Sequence, residues 1–65
     1  MISFQPLFIA LIKKNMTKTD LRKVVGFSTA TLAKMSKNEY VSMEVIDSIC
    51  KYLDVQVEDV IEYIK

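Results

Sequence analysis

A chain of 65 residues can form one small domain, and a domain of this size buries only about 60% of its unfolded surface. The apolar fraction is 51%, glycine and proline occur once each, and the net charge is +1, a composition that favours a compact helical bundle over a β-sandwich. With no histidine and one cysteine, the chain cannot supply a Cys/His zinc site, a Cys–His nucleophile pair or an internal disulfide. We therefore expect no metal, no cofactor and no enzymatic activity.

The first predicted helix runs from near Phe4 to Lys14, with Ser3 as its candidate cap. At 100° per residue, five apolar residues fall within about 140° and predict a broad buried face: Phe4, Leu7, Phe8, Leu11 and Ile12. Ile9 lies at the edge of this face and is left over for a partner. The apolar run is much shorter than the ~20 residues that cross a bilayer, and lysines follow it rather than precede it. We expect a cytoplasmic protein without membrane contact.

The second predicted helix begins at the cap Thr17, where Asp20 completes a shortened capping box, and ends at Gly26 in the left-handed conformation. Leu21 and Val25 point inward at four-residue spacing. A tight turn over residues 26–28 joins this helix to a third. Two short helices connected in this way have the layout of a helix-turn-helix that reads DNA.

The third predicted helix, Thr29–Lys37, is capped by Ser28 and stopped by Asn38 in the left-handed conformation. Its packing side consists of Thr31, Leu32 and Met35. Its other side carries small residues and cations, namely Thr29, Ala30, Ala33, Lys34 and Lys37. Small residues let a helix backbone enter the ~12 Å major groove, and lysines can then reach guanine edges or phosphates. An ordinary solvated face contains the same residue types, so this helix alone does not decide between the two interpretations.

Ser42 caps a predicted fourth helix, Met43–Leu53, whose core-facing residues are Ile46, Ile49, Cys50 and Leu53. We interpret Cys50 as a small buried hydrophobe, with a redox sensor as the alternative. A fifth helix is predicted over Val57–Ile64. In its first turn, Glu58 and Asp59 are better explained as anions at a helix start than as a catalytic carboxylate pair.

The charge is divided unevenly along the chain. Residues 1–38 hold seven cations against the single anion Asp20, a net charge of +6, whereas residues 39–65 hold two cations against seven anions, a net charge of −5. Such a molecule presents its positive half to a polyanion and keeps its acidic half away. An uneven but merely solvated distribution is the alternative.

The segment from Thr17 to Lys37 resembles the helix-turn-helix of the Cro and phage-repressor type, the XRE-like family, and particularly its small single-domain members. The inward apolar residues, the turn glycine and the cap of that family correspond to Leu21, Val25, Gly26, Phe27, Ser28, Leu32 and Met35. The stretch from Ser42 to Val55 is similar to the family's fourth helix and its exit into the fifth. The resemblance implies an all-α fold over residues 1–65, a single compact five-helix lambda-repressor-like DNA-binding domain with helices two and three as the helix-turn-helix.

The resemblance and the helix wheel together imply two sets of DNA contacts. The base-facing residues are Thr29, Ala30, Ala33 and Lys34. The phosphate contacts are Thr17, Lys18, Ser28, Lys37 and Asn38, with the helix amides near Ser28 contributing. The base-facing set has no Arg, Gln or Asn, so bidentate recognition is absent and we expect weak sequence discrimination by one monomer.

Two positions depart from the family's pattern. Lys18 stands where the family often has a glutamine, which can both contact a phosphate and hydrogen-bond to the reading helix through its amide. A lysine can contact the phosphate through its charge but cannot supply the amide. Arg22 stands where the family favours a small residue, so either its side chain reaches outward or the two helices cross differently. Tyr40 could donate to a phosphate or pack half-buried on the core.

Weak reading by a monomer implies a two-fold homodimer with two reading helices about 34 Å apart. The candidate dimer seam is the excess apolar surface at Ile9, Val57 and Tyr63. The alternative is that these residues cover the core of a monomer.

The leading hypothesis is a sequence-specific transcriptional regulator, a repressor that occupies double-stranded DNA, with no small-molecule ligand evident. The alternative is a protein-interaction module on the same fold, an antitoxin-like or anti-repressor subunit whose acidic fourth and fifth helices bind a basic partner.

Overall fold

The computed structural model describes all 65 residues, which form four α-helices, one 3-10 turn and a two-stranded ribbon. In chain order these are β1 (Ile2–Ser3), α1 (Gln5–Lys13), α2 (Lys18–Val25), α3 (Thr29–Ser36), α4 (Met43–Leu53), a 3-10 turn (Val57–Asp59) and β2 (Glu62–Tyr63). The predicted all-α class, with α2 and α3 as the helix-turn-helix, is confirmed. None of the helices is long and apolar enough to span a membrane.

The predicted fifth helix, Val57–Ile64, is wrong. After one 3-10 turn the chain extends and pairs antiparallel with its own N-terminus, with Ile2 opposite Tyr63 and Ser3 opposite Glu62. The Ile64 amide donates to the Met1 carbonyl at 2.8 Å, and the N-terminal ammonium donates to the Ile64 carbonyl. The segment is rich in β-branched residues, which favour strands, and its strand partner lies some 60 residues away where a local pattern cannot reveal it.

The side chains of ten apolar residues form one core: Phe4, Leu7, Leu11, Leu21, Phe27, Met35, Ile46, Ile49, Leu53 and Val60. Ile12 was expected on the buried face of α1, yet it is 75% exposed. The reason is that the core lies beneath Phe4, Leu7 and Leu11, and no other element covers the side of α1 where Ile12 projects. The buried face of this helix is therefore narrower than the sequence suggested, with Phe8 half-buried at its edge.

The helix ends are fixed by short-range hydrogen bonds. The hydroxyls of Ser28 and Ser42 accept from the amides of Thr31 and Val45 at 3.1 and 3.3 Å, as expected of caps. At the start of α1 the cap position is Phe4, while the buried Ser3 hydroxyl accepts from the Gln5 amide at 3.1 Å. The N-terminal ends of α2, α3 and α4 thus follow from serine and threonine positions visible in the sequence, whereas the predicted cap of α1 at Ser3 is wrong, because the cap position is one residue later.

Candidate nucleic-acid interface

The start of α2 is held by a reciprocal pair of hydrogen bonds between Thr17 and Asp20. The Thr17 hydroxyl accepts from the Asp20 amide, and the Asp20 carboxylate accepts from the Thr17 amide, both at 3.0 Å. The Thr17 amide most of all, then the Thr17 side chain and the Lys23 charge, lower the pKa of Asp20. The Asp20 carboxylate therefore has a lower pKa in the folded chain than in the unfolded chain. The hydrogen bonds that it accepts stabilise the folded chain fully above the unfolded-state pKa, and this stabilisation is lost as the pH falls through the folded-state pKa.

The turn between α2 and α3 depends on Gly26. Its φ is +96°, a left-handed conformation that side-chain-bearing residues rarely adopt, and its amide donates to the Arg22 carbonyl at 2.8 Å. Phe27 follows and is buried in the core, so the turn is anchored to the rest of the domain. These contacts fix the direction in which α3 leaves the turn.

The helix α3 has one packed side and one free side. Met35 is fully buried, and Thr31 and Leu32 are half-buried beside it. The predicted base-facing residues all lie on the exposed side: Thr29, Ala30, Ala33 and Lys34. The structure therefore brings this set together on one helix face that no other part of the chain covers.

The five predicted phosphate contacts differ in what their side chains already do. Lys37 is exposed at the C-terminal cap of α3, and the Thr17 hydroxyl oxygen caps α2 while its O–H remains a donor. The Ser28 hydroxyl caps α3 and shares a second hydrogen bond of 3.0 Å with the Thr31 hydroxyl. Asn38 is half-buried in the left-handed conformation, with its Oδ1 accepting from the Phe4 amide at 2.9 Å. Asn38 thus ties the end of α3 to the start of α1, a role that its sequence position did not reveal.

Lys18 is placed by a contact that the sequence did not predict. Its Nζ lies 4.1 Å from the centroid of the Phe8 ring, within the range of a cation–π interaction. Phe8 is half-buried on α1, so this helix positions the first cation of α2. No spacing rule connects residues 8 and 18, because they belong to different helices.

Two grooves lie on either side of the β-ribbon. The larger, about 630 Å³, has three carboxylates and one cation in its lining, and we call it the acidic groove; it is lined by Gln5, Pro6, Ile9, Ala10, Lys13, Val55, Glu58, Asp59 and Glu62. The smaller, about 240 Å³, is the apolar groove, lined only by Ile2, Phe4, Tyr40, Val41, Met43, Ile46 and Ile61. No group of three or more metal-ligating side chains is clustered anywhere in the structure.

The three predicted seam residues do not line one groove. Ile9 lies in the acidic groove, while Tyr63 is the direct cross-strand partner of Ile2, which lines the apolar groove. Directly opposed residues project to the same face of a ribbon, so Tyr63 borders the apolar groove. Val57 is 46% exposed in the 3-10 turn and lines neither groove.

Tyr40 is 80% exposed. Of the two predictions for this residue, the one that packs it half-buried on the core is therefore wrong. The loop that carries it begins at Asn38, the residue that holds the start of α1. The ring therefore stands out beside the C-terminal end of α3.

Comparison with known proteins identifies the arrangement. The family model of the Cro/C1-type HTH DNA-binding domain matches residues 7–65. The chain is also similar to a transcriptional regulator, VanUg, whose crystal structure superposes with a TM-score of 0.92 at 44% sequence identity, covering 94% of this chain and 81% of that chain. Among curated proteins, none matches the chain.

Proposed function

The chain belongs to the family of Cro/C1-type helix-turn-helix DNA-binding domains, and on this basis we propose that it is a transcriptional repressor that reads the major groove with α3. The observation that carries the proposal is the free face of α3, where Thr29, Ala30, Ala33 and Lys34 are exposed together. The similar structure is that of a transcriptional regulator, which supports the same kind of role.

In the proposed complex, the two alanines let the α3 backbone sink into the groove. Ala30 and Thr29 are short enough to contact thymine methyl groups, and Lys34 is long enough to reach a guanine edge. Repression follows from occupancy, because a bound domain blocks the same stretch of duplex to other proteins. The proposal therefore needs no ligand and no catalytic step.

Phosphate contacts would hold α3 in place. Lys18 supplies a positive charge at the start of α2, and Lys37 supplies another at the end of α3. The Thr17 hydroxyl, whose oxygen already caps α2, has a proton to donate to a phosphate oxygen, and so does the Ser28 hydroxyl when Thr31 is the donor in the hydrogen bond between their two hydroxyls. Such contacts give affinity and orientation but little sequence information.

We propose further that two copies bind as a homodimer. The base-facing set has no side chain capable of bidentate recognition, so one copy contributes little discrimination. Two reading helices about 34 Å apart would double the sequence read and favour a palindromic site.

A second candidate function is favoured by the acidic groove. Its lining holds three carboxylates, Glu58, Asp59 and Glu62, against the single cation Lys13, and a basic segment of a partner protein would complement this net negative charge. In that case the domain acts as an interaction module, and α3 has no part in the contact.

Selection from randomised duplexes tests the proposal. We expect the wild-type chain to enrich a palindromic sequence, and Lys34→Glu to abolish enrichment because it places a negative charge against the groove. Lys51→Glu on α4 is the matched control, with the same charge reversal on an exposed lysine elsewhere, and should enrich the wild-type sequence. Enrichment unaffected by Lys34→Glu, or no enrichment by the wild-type chain, would contradict the proposal.

A further inference from the structure

The ring of Phe8 lies half-buried on α1, in contact with the core on one side and with the first residue of α2 on the other. Its side chain packs against the apolar core, and the Phe8 amide donates to the Phe4 carbonyl at 3.3 Å, so both the core and the helix restrain the ring. The Lys18 Nζ lies 4.1 Å from the ring centroid. A restrained ring thus gives the end of a flexible lysine side chain a defined position.

We infer that Phe8 is a positioning residue for DNA binding, which acts through Lys18 by holding its ammonium group where a phosphate can approach it. The inference rests on the proposed function, in which Lys18 contacts the DNA backbone. Phe8 itself need not touch the duplex. The helix α1, which lies outside the helix-turn-helix, thereby contributes to the affinity for DNA.

The ammonium group of Lys18 keeps donors available while it lies over the ring. Lys18 is exposed, and an ammonium group has three N–H donors, of which the ring face occupies only one side. Asp20, the anion closest to it along the chain, already accepts a hydrogen bond from the Thr17 amide at 3.0 Å. A phosphate oxygen can therefore bind on the side of the ammonium group that faces away from Phe8.

The size of the effect follows from how far the ring narrows the positions open to Lys18. A lysine side chain has many rotamers, and DNA binding selects those that reach the phosphate. A contact that favours these rotamers in the free chain raises the apparent affinity in proportion to their population. For a cation–π contact at an exposed site, this increase is about two- to fivefold, which corresponds to about 0.5 to 1 kcal/mol.

A double-mutant cycle on the full chain tests the inference, with fluorescence anisotropy of a labelled mixed-sequence duplex at about 50 mM salt as the measurement. Phe8→Leu, which keeps an apolar side chain and removes the ring, should weaken binding about two- to fivefold. In the Lys18→Ala background the same change should leave the affinity unaltered. Phe8→Tyr is the matched control, because it keeps the ring and should retain the wild-type affinity.

The salt dependence separates the position of the charge from its presence. Lys18→Ala removes the charge, so the slope of log affinity against log salt should become shallower by about 0.9. Phe8→Leu leaves the charge in place and should lower the affinity without changing this slope.

NMR shows whether the ammonium group stays over the ring when DNA binds. The ring current of Phe8 should shift the ε-methylene protons of Lys18 upfield of those of the exposed Lys51, in the free chain and in the complex alike. Phe8→Leu should remove this shift, and Phe8→Tyr should keep it. Thermal melting checks that each variant is folded at the temperature of the measurement.

The inference is overturned if Phe8→Leu weakens binding equally in both backgrounds, since the ring would then contribute only to the fold, or if it weakens binding in neither. It is also overturned if the upfield shift of Lys18 disappears when duplex is added to the wild-type chain, a result that requires no variant to fold. If the wild-type chain binds no duplex, the proposed function fails. If it binds duplex and Lys18→Ala weakens binding while Phe8→Leu does not, only this inference fails.

Discussion

At the scale of single residues, Lys18 makes a contact with α1 that its position in the sequence did not reveal. A glutamine at this position would brace the reading helix through its amide, whereas Lys18 lies over the Phe8 ring of α1. This single contact places the ammonium group beside α1, while the Lys18 side chain stays exposed at the start of α2. Arg22, the other departure, is half-buried on α2.

Cys50 is packed against the core, and its surroundings favour the interpretation as a small hydrophobe over that as a redox sensor. Burial most of all, followed by the Asp47, Asp59 and Glu58 carboxylates, raises the pKa of its thiol. A raised pKa leaves less thiolate at neutral pH, and the thiolate is the reactive form.

We therefore expect Cys50 to react with iodoacetamide at pH 8 more slowly in the folded chain than in the urea-unfolded chain. Asp47→Asn should raise the rate for the folded chain, because it removes the carboxylate that contributes most to raising the pKa of the Cys50 thiol. A single exposed thiol, Lys51→Cys in a Cys50→Ser background, provides the control for reagent access. A folded-state rate for Cys50 equal to that of the unfolded chain would rule out this interpretation.

At the scale of elements, sequence reasoning succeeded where a signal is local and failed where it is not. The caps Thr17, Ser28 and Ser42 were predictable because each bonds an amide three residues away. The free face of α3 was predictable because helical periodicity decides which side packs. The β-ribbon was not, since Ile2 and Tyr63 meet only through the completed fold.

The same contrast applies to Asn38 and Tyr40. The left-handed conformation of Asn38 was predictable from residue type, but its hydrogen bond from the Phe4 amide depends on the start of α1 lying beside the end of α3 in the completed fold. Tyr40, two residues on, is exposed rather than packed on the core. Neither side chain could be assigned its surroundings from the local sequence.

The α2–α3 turn gives a prediction at this scale. Gly26→Ala should destabilise the domain by about 1 to 2 kcal/mol, the cost of a left-handed conformation for a residue with a Cβ. The added Cβ would meet no atom within 4 Å, so the cost is in the backbone alone. For a domain of this size, each kcal/mol lowers the melting temperature by about 4 to 8 °C.

Gly26→Asn is the matched comparison, because asparagine tolerates the left-handed region better than alanine does. Its melting temperature, measured by circular dichroism, should lie between those of Gly26→Ala and the wild-type chain. If Gly26→Ala melts at the wild-type temperature, the turn does not depend on this conformation.

At the scale of the whole molecule, the division of charge matters more than its sum. Five of the seven cations in the basic half lie between Thr17 and Lys37, the segment that forms the helix-turn-helix, while Glu58, Asp59 and Glu62 lie in the acidic groove. A molecule with this charge separation is oriented by the field of a polyanion before it makes contact. For the proposed DNA binding we therefore expect rapid, salt-sensitive association.

The salt dependence of duplex binding tests most directly whether the helix-turn-helix binds DNA through its cations. Fluorescence anisotropy of a labelled mixed-sequence duplex, between about 50 and 400 mM salt, should give a straight line of log affinity against log salt with a slope of about −0.9 for each phosphate contacted. Lys37→Ala should make the slope shallower by about 0.9, and the matched Lys51→Ala on α4 should leave it unchanged. The contrary result is the absence of binding at about 50 mM salt, or an equal effect of the two lysine variants.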